Sequence, residues 1–571
     1  MTHIQPEYYS VNQLLNYKFF EIPNYQRTYS WSKKQREDLF NDITNVIKWR
    51  DKERHHFMST IVCLNQHESR QVGTDKYEKY YIVDGQQRIT TLIIILKALS
   101  KALKNGTSEE KEEFTKLESL LVKKDKRIVL LQTNHDNQQI FFNYLVTGEI
   151  PKRKTAKTFT DRNMIDAFTE AEAFIKKWRS NRDLIKLLEI IKNRLGFIFY
   201  VLKDAGSVYR VFEVLNSRGL VVDWLDKVKS SLMGVIYDKY PANTANTHID
   251  HLHKTWISIY SKIGLADIAG HEIVRFSATL LKDDSGNKPL SAEESLDYFL
   301  IACNKDINEV FVIVDFISKV TERLKEIYID RRLKAVTDIS QARLLAVAIK
   351  LSKLNDNQKD NLLIEWEKIS FRIFGLYRKD SRTAVGDYVR LSKYIISKDV
   401  KYNTVLKMLD DIGIKFPANK IPEQIYEKNC YEGWEEKARY FFFRYEEYLS
   451  KASSGEMNKD AWSQIWNDSP VKSIEHIYPQ KPEGNWNAWR GKIGRGRNTF
   501  AKNIHRLGNL LLLTPPENSR CGNKTFNQKK TIYSQSKIRM TDEIVKKSDW
   551  NLKAITAREN KLIKWAKETW G

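Results

Sequence analysis

Runs of apolar and polar residues predict a mixed α/β organisation at the start of the chain. Phe57–Leu64 and Tyr80–Val83 are rich in β-branched and apolar residues, as strands are, and Asn65–Lys79 between them is polar and turn-like. Asp84–Arg88 is a short polar loop, and apolar residues then recur with helical spacing in Ile89–Leu103. This order predicts a helix N-terminus directly after a strand, where free backbone N–H groups favour an anion.

The pattern changes towards helix in the middle of the chain. Phe197–Leu202 is a further apolar, strand-like run, and Val208–Leu215 follows it. From about residue 240 to 430, amphipathic segments recur without a fixed period, which argues against a solenoid. Examples of these segments are Ile307–Leu324, Gln341–Lys353 and Asp360–Phe374.

An aromatic-rich helix at Gly433–Lys451 leads into the last part of the chain. We therefore predict a mixed α/β protein that is predominantly α-helical. The predicted division is an N-terminal α/β domain at 1–235, a helical coupling region at 236–430 and a C-terminal domain at 431–571.

Composition points to a polyanionic partner. The 571 residues carry a formal net charge of +23, and 42% are hydrophobic, which argues against wholesale disorder. The four cysteines are scattered with neither a zinc nor a disulfide spacing, so we expect a reducing, cytoplasmic location. No secretion signal or membrane-spanning run is visible in the sequence.

The chemistry-bearing residues of the C-terminal part lie at 473–530. Glu475 and His476 stand side by side on a predicted short strand, Asn509 lies in a Gly-Asn-Leu turn, and Asn518 follows. Hydrolysis of a phosphodiester needs a base to activate water and a hard cation to hold the phosphate. His476 suits the first task, and the Glu475 and Asn518 oxygens suit Mg²⁺ or Mn²⁺. This constellation is the ββα-metal pattern of an HNH nuclease; the alternative is that His476 is a buried structural histidine.

Positive charge surrounds this constellation. From Lys481 to Met540 there are 13 Lys and Arg residues and two acids. The glycine-rich stretch that contains Arg495 and Arg497 is predicted to be a basic loop that tracks a phosphate backbone, and Lys529 to hold a flanking phosphate. The alternative is a solvated charge run.

Polar clusters in the N-terminal half suggest a phosphate-bearing ligand. Arginine offers a bidentate fork for phosphate and aromatic rings offer stacking faces. No Walker-type phosphate loop is present in the sequence, and the alternatives are a structural Arg27–Asp84 bridge and, for Asn216 and Arg218, a helix end closed by Gly219. The candidate residues are Tyr25, Gln26, Arg27, Asp84, Gly85, Gln86, Gln87, Arg88, Asn216 and Arg218.

Together these motifs resemble a known family. IPNYQRTYSW, VDGQQRITTL and FEVLNSRG are similar to the GmrS-type N-terminal domain, and IEHIYPQ, HRLGNLLLLT and the residues from Asn518 to Lys529 are similar to the GmrD-type HNH domain. Their order resembles that of fused GmrSD-type, type IV restriction endonucleases. The resemblance covers roughly residues 10–235 and 430–540 and implies a ParB-like fold followed by an HNH fold.

The resemblance also implies roles for individual residues. The loop Asp84–Arg88 would bind and hydrolyse a nucleoside triphosphate, with Asp84 as a catalytic residue, and Tyr25, Gln26 and Arg27 would contact the nucleotide or a modified backbone. His476 would be the nuclease base and Asn509 would pin its loop. The basic insert stretches the gap between these two residues, which puts the loop geometry in doubt rather than the chemistry.

The function expected from the sequence is a nucleotide-regulated endonuclease that acts on modified double-stranded phage DNA, with a homodimer as the candidate assembly. The first alternative is a phosphorothioate-sensing, NTP-hydrolysing nicking enzyme of related architecture. The second is a nucleotide-dependent DNA-binding regulator that does not cleave.

Overall fold

The structure is a computed structural model of the chain. It describes residues 7–23, 26, 28–47, 55–123, 129–133, 138–180, 182–202, 223–264, 266, 268–283, 286–330, 338–397, 400–453, 455–481 and 497–571. The chain forms two compact units. The first comprises Met1–Ala278 and Leu290–Glu322, and the second comprises Thr279–Pro289 and Arg323–Gly571. The predicted three-part division at residues 235 and 430 stays a prediction.

A mixed sheet is the centre of the first unit. Among its described residues, seven strands join in the order β1-β7-β3-β5-β2-β6, with β4 paired to β5. The β3–β7, β2–β5 and β2–β6 pairs are parallel, and the others are antiparallel. The strands are β1 Glu7–Ser10, β2 Lys18–Ile22, β3 His56–Leu64, β4 Ser69–Val72, β5 Asp75–Asp84, β6 Leu131–Thr133 and β7 Leu195–Leu202.

The predicted strands at Phe57–Leu64 and Phe197–Leu202 are confirmed as β3 and β7. The interpretation of Asn65–Lys79 as a turn is wrong, because this stretch contains β4 and the first half of β5, which pair as a hairpin. The β4 side chains are mostly exposed, so they lack the apolar alternation by which a strand is recognised. The predicted strand Val208–Leu215 lies outside the described residues.

The helix that follows β5 is the core of this unit. It runs from Gln86 to Leu103, three residues earlier than its apolar pattern predicts, and is buried on nearly all sides. A helix that is apolar all round is expected in an interior. The helices Ser108–Leu121 and Phe159–Arg179 pack against it.

The chain is mostly helical, as predicted, and the described residues between Asp223 and Ser473 contain helices and no strand. Up to residue 330 the other helices are Val11–Leu15, Lys33–Val46, Gln138–Thr147, Leu184–Glu189, Trp224–Lys239, Ala242–Ile263, Gly270–Leu281, Ala292–Lys305 and Glu309–Ile329. Beyond residue 338 they are Ser340–Leu351, Asp356–Ser370, Val385–Ile396, Tyr402–Ile414, Ile421–Ile425, Glu435–Ala452, Lys459–Asn467, Pro470–Ser473, Arg497–Ile504, Pro515–Cys521, Phe526–Tyr533, Asp542–Val545 and Leu552–Trp570.

The second unit also contains a two-stranded ribbon of β8 Ile474–His476 and β9 Leu510–Leu512. The helices Glu435–Ala452 and Pro515–Cys521 contact β8. Within the described residues, no helix combines the length and apolar character needed to cross a membrane.

Candidate active site

The β8–β9 ribbon places Glu475 and His476 in the interior of the second unit. Glu475 pairs with Leu511 and His476 with Leu510 in an antiparallel register. One backbone bond flanks each end: the Ile477 N–H donates to the Asn509 carbonyl at 3.0 Å, and the Leu513 N–H donates to the Ser473 carbonyl at 2.9 Å. The leucines of β9 are fully buried. The apolar run thus anchors a strand too short to be stable alone.

Asn509 joins the two strands through its side chain. Its Oδ1 accepts hydrogen bonds from the Tyr478 N–H and the Trp550 indole N–H, each at 2.9 Å. Its Nδ2 donates to the carbonyls of Tyr478 at 3.1 Å and Ile504 at 2.8 Å. The side chain is fully buried and all four of its hydrogen-bonding positions are used. Asn509 therefore holds the chain after His476 and does not line the cleft.

Buried polar contacts support the turn that carries Asn509. Arg506 forms an ion pair with Glu559, and both side chains are almost inaccessible to solvent. The Arg558 guanidinium donates to the carbonyls of Gly508 at 3.0 Å and Leu510 at 2.5 Å. A side chain at Gly508 would lie 2.1 Å from the Ile555 carbonyl oxygen, so only glycine fits. The helix Leu552–Trp570 thus supports the turn from behind.

His476 has both ring nitrogens engaged. Its Nε2 lies 3.0 Å from Nδ1 of His505, and its Nδ1 lies 3.1 Å from the Gln480 side-chain amide nitrogen. The Tyr431 ring packs edge-on against the imidazole with a centroid distance of 4.6 Å. Burial, and then the neighbouring His505 and Lys529, hold the pKa of His476 well below its ordinary value. The imidazole is therefore neutral at physiological pH, as a general base must be.

Glu475 is buried in a polar cluster of its own. Its Oε1 accepts hydrogen bonds from Lys529 Nζ at 2.6 Å and from the Tyr533 hydroxyl at 2.8 Å. Burial raises the pKa of Glu475, and the Lys529 charge opposes that rise. Lys529 also donates to the His476 carbonyl at 2.8 Å and is fully buried. This position differs from the predicted phosphate contact, because the side chain points inward to the acid and not towards solvent.

Asn518 lies on the helix Pro515–Cys521, beside the ribbon. Its Nδ2 donates to the carbonyls of Lys472 at 2.8 Å and Ile474 at 3.3 Å. No described residue donates a hydrogen bond to its Oδ1. The backbone that leads into β8 thus orients the amide of Asn518, and no described residue occupies its oxygen.

Glu475, His476 and Asn518 line one cleft of about 470 Å³. The structure therefore brings together three residues that are up to 43 positions apart in the sequence. The other residues that line the cleft are Tyr431, Val471, Lys472, Ile474, Pro479, Gln480, Pro515, Ser519, Gly522 and Asn523.

The oxygen donors in this cleft are of the type that hard cations prefer. Among the described residues, no group of three or more His, Cys, Asp or Glu side chains could hold a metal ion. A cation here would use the Glu475 carboxylate, the Asn518 amide oxygen and water. This donor set fits Mg²⁺ or Mn²⁺, which keep several waters and bind through one or two carboxylates plus substrate phosphates.

Sequence reasoning missed three residues around the base, namely His505, Gln480 and Tyr431. Gln480 and Tyr431 line the cleft, while His505 lies behind His476. Gln480 and His505 lie within the stretches IEHIYPQ and HRLGNLLLLT, but nothing in their spacing assigns them a role. Only the fold brings the Tyr431 ring next to both histidines, at centroid distances of 4.6 and 5.2 Å. Arg495 lies outside the described residues, and the structure describes the backbone of Arg497 only, as the first residue of the helix Arg497–Ile504.

The second candidate region is the turn between β5 and the helix Gln86–Leu103. Gly85 has a φ of +94°, in the left-handed region, and a side chain there would meet Ile61 at 3.0 Å. The glycine lets the chain turn sharply from Asp84 into the helix. As predicted, a helix N-terminus therefore begins directly after a strand.

Three glutamines fasten this turn to the preceding segment. Gln26 donates to the Val83 carbonyl at 2.6 Å and accepts a hydrogen bond from Gln86 at 3.0 Å. Gln87 accepts a hydrogen bond from the Ser30 N–H and donates to the Thr28 carbonyl, both at 2.9 Å. All three glutamines are buried. Their amides hold the fold here, which differs from the predicted contact with a nucleotide.

Arg88 differs from its glutamine neighbours. It is half-buried, and no described residue forms a hydrogen bond or an ion pair with its guanidinium. Burial lowers the pKa of Arg88, and the carboxylates of Asp84 and Asp42 act in the opposite direction. A phosphate group fits this unpartnered cation at a helix N-terminus. Tyr25, Arg27, Asn216 and Arg218 lie outside the described residues.

A larger cavity, of about 850 Å³, lies in the first unit between the helices Lys33–Val46 and Phe159–Arg179. Phe40 and Phe174 stack there with a centroid distance of 4.6 Å. None of the predicted site residues lines this cavity.

Two family models match the chain, and both describe parts of restriction endonucleases. The chain is therefore an endonuclease of the restriction class, with DNA as its substrate. The GmrSD restriction endonuclease N-terminal domain matches residues 11–233, and the GmrSD restriction endonuclease C-terminal domain matches residues 417–565. The chain belongs to the GmrSD restriction endonuclease family, and the order of the two domains is the one expected from its motifs. No curated protein matches the chain.

Proposed function

We propose that the chain is a nucleotide-regulated, modification-dependent endonuclease that restricts foreign phage DNA by metal-dependent phosphodiester hydrolysis. One observation supports the nuclease site above all: Glu475, His476 and Asn518 line one cleft on a ribbon that Asn509 fastens. We assign this ribbon and the helix Pro515–Cys521 to a ββα-metal (HNH) fold. We assign the sheet of the first unit to a ParB-like fold.

In the proposed reaction, His476 takes a proton from water at Nδ1 while the water oxygen attacks the phosphorus atom. The P–O bond to the leaving sugar oxygen breaks, and that oxygen takes up a proton from solvent. The Gln480 amide now lies 3.1 Å from that nitrogen, so Gln480 has to move aside before water can bind there. Because burial keeps the pKa of His476 low, the imidazole is free of a competing proton before the reaction.

Glu475 and Asn518 would hold the divalent cation. When bound, the cation supplies a positive charge that stabilises the developing charge on the phosphate and the leaving oxygen. Lys529 and Tyr533 orient the Glu475 carboxylate from the buried side. Asn518 is oriented by its own two hydrogen bonds to backbone carbonyls.

The proposed nucleotide site is the turn Asp84–Arg88. The Arg88 guanidinium, to which no described residue forms a hydrogen bond, and the helix N-terminus supply positive charge for a triphosphate. Asp84 lies next to them, at the end of β5, and could act on the bound nucleotide. The nucleotide would regulate cleavage from the first unit.

The experiment that tests this function compares wild-type protein with His476→Ala. Cleavage of unmodified, hydroxymethylated, glucosylated and phosphorothioate DNA is measured with Mg²⁺ or with EDTA, and with or without NTP. We expect Mg²⁺-dependent cleavage of a modified substrate, and a rate lower by about 10²–10⁴ in the variant, the usual cost of losing a general base. DNA binding should be unchanged.

The matched control is His251→Ala, a change at an exposed histidine of the first unit. It should cleave as the wild type does. Wild-type rates in His476→Ala would remove His476 from the mechanism, and cleavage after thorough EDTA treatment would remove the metal. Stimulation by phosphorothioate DNA alone, with nicks as the product, would instead favour the sensing nickase. A shifted but uncut plasmid would favour the non-cleaving regulator.

A further inference from the structure

His505 occupies a defined place behind the proposed base. It lies four residues before Asn509, at the end of the helix Arg497–Ile504. Its carbonyl accepts a hydrogen bond from the Cys430 N–H at 2.8 Å. The Tyr431 ring stacks on its imidazole with a centroid distance of 5.2 Å and an interplanar angle of 11°. The position and the plane of this imidazole are therefore both fixed.

The hydrogen bonds around the two histidines permit a single consistent set of proton positions. The Gln480 amide nitrogen can only donate, so His476 Nδ1 accepts and the ring proton lies on Nε2. That proton is donated to Nδ1 of His505. His505 then carries its own proton on Nε2, which lies 3.7 Å from the Glu432 carboxylate. The result is an ordered row from Gln480 to Glu432.

We propose that His505 is a positioning residue that fixes the tautomer of His476. By accepting the Nε2 proton, it leaves the lone pair of His476 on Nδ1, the nitrogen that faces Gln480 and the cleft. His505 does not itself line the cleft. The inference rests on the proposed function, in which His476 takes a proton from water at Nδ1.

Two features suit His505 to this task. Burial lowers the pKa of His505, so its Nδ1 remains an acceptor at neutral pH. The nearby Glu432 carboxylate places negative charge at the far end of the row. This charge stabilises the positive charge that forms on His476 when the base is protonated. A histidine that served packing alone would need neither an acceptor at this position nor an acid behind it.

Three substitutions separate positioning from packing. His505→Asn places an amide oxygen near the position of Nδ1 and keeps the acceptor. His505→Gln is also polar, but its longer side chain moves the amide away from that position. His505→Leu removes the acceptor altogether. We expect single-turnover cleavage to fall roughly 10–100-fold in the Gln and Leu variants, the usual cost of losing an orienting partner. The Asn variant should stay within about threefold of wild type, with DNA affinity unchanged in all three.

A spectroscopic readout makes the test independent of cleavage. In protein labelled with ¹⁵N-histidine, the His476 signals are assigned by their loss in His476→Ala, and the ring nitrogen shifts report which nitrogen carries the proton. We expect a proton on Nε2 in the wild type and in His505→Asn, and a mixture of tautomers in His505→Gln and His505→Leu.

The proposal is overturned if His505→Gln keeps both the wild-type tautomer and the wild-type rate, or if the Asn and Gln variants lose the same activity. Should the Leu variant fail to fold, the comparison of Asn with Gln still decides. Failure of the proposed function looks different, because His476→Ala would then cleave normally whatever the tautomer in the His505 variants.

Discussion

The two candidate regions use their polar residues in opposite ways. In the cleft of the second unit, the predicted residues converge and keep functional atoms in reach, such as the oxygen of Asn518. In the turn of the first unit, Gln26, Gln86 and Gln87 direct their amides to each other and to the backbone. Arg88 in the same turn differs from these glutamines, because no described residue forms a hydrogen bond with its guanidinium.

This difference suggests two groups of residues in a polar motif. Acting residues keep polar atoms available to a ligand or substrate, and holding residues use their polar atoms to support the fold. Asn509 lies at the centre of the nuclease motif but belongs to the holding group. Its side-chain amide forms four hydrogen bonds inside the protein. Gln87 has the same role in the first unit. Substitutions that separate the two groups are the direct way to test the comparison.

The largest effect is expected where a holding residue carries a charge. Lys529→Met keeps the length of the side chain but leaves the buried Glu475 carboxylate without its cation. Breaking a buried ion pair costs about 3–5 kcal/mol. We expect the free energy of unfolding of the second unit to fall by that amount, as measured by urea denaturation.

The control for this prediction is Lys537→Met, which changes an exposed lysine of the same unit. Adding Glu475→Gln to Lys529→Met should recover part of the loss, because it removes the unpaired charge. Equal stability of Lys529→Met and Lys537→Met would show that the pair does not hold the acid.

A second prediction concerns pH. Burial raises the pKa of Glu446 from 4.5 to about 7, although the backbone N–H groups of Arg539 and Met540 donate to it. The folded state therefore binds a proton that the unfolded state has lost, so stability decreases as pH rises from about 4.5 through 7. At about 1.4 kcal/mol per pH unit, the total loss is about 3 kcal/mol.

We expect urea denaturation at pH 5 and pH 8 to show this loss in the second unit of the wild type. Glu446→Gln should flatten the dependence, and the exposed control Glu423→Gln should leave it unchanged. A wild-type slope in Glu446→Gln would assign the pH dependence to other groups.

The sequence predicts some features of this structure better than others, and local features are predicted best. The strand β3 and the helix after β5 are recognisable because apolar periodicity is a local property of the chain. The residues that converge on the cleft are recognisable because their chemistry is specific. The direction in which a side chain points is not recognisable from the sequence. Lys529 is predicted to contact a phosphate but is buried, and Gln86 and Gln87 are predicted to contact a ligand but are buried too. His505 lies in the stretch HRLGNLLLLT, but its role is not recognisable from the sequence, since its partner His476 is 29 residues away.

The third prediction separates acting from holding residues in the first unit. Arg88→Ala should weaken NTP binding about 10–100-fold, the loss expected for a hydrogen bond to a charged group, and should leave thermal stability unchanged. Gln87→Ala leaves the Ser30 N–H and the Thr28 carbonyl without their partner, which costs about 1–3 kcal/mol of stability. Calorimetry with NTP and thermal denaturation measure the two effects. The same loss of binding in both variants, without any loss of stability, would remove the distinction.

The smallest effect is expected for the basic insert, where the prediction rests on charge alone. Arg495 and Arg497 each add a unit of positive charge beside the nuclease motif. Each phosphate contact that is lost should flatten the plot of log K against log salt concentration by about 0.9 for duplex DNA. The double variant Arg495→Ala/Arg497→Ala should therefore bind DNA more weakly and with a shallower slope, while its Mg²⁺ dependence stays unchanged. The control Lys111→Ala/Lys154→Ala removes the same charge from exposed positions of the first unit. If both double variants show the same slope, these arginines add only to the general charge of the protein; a difference between them assigns the phosphate contacts to the insert beside the cleft.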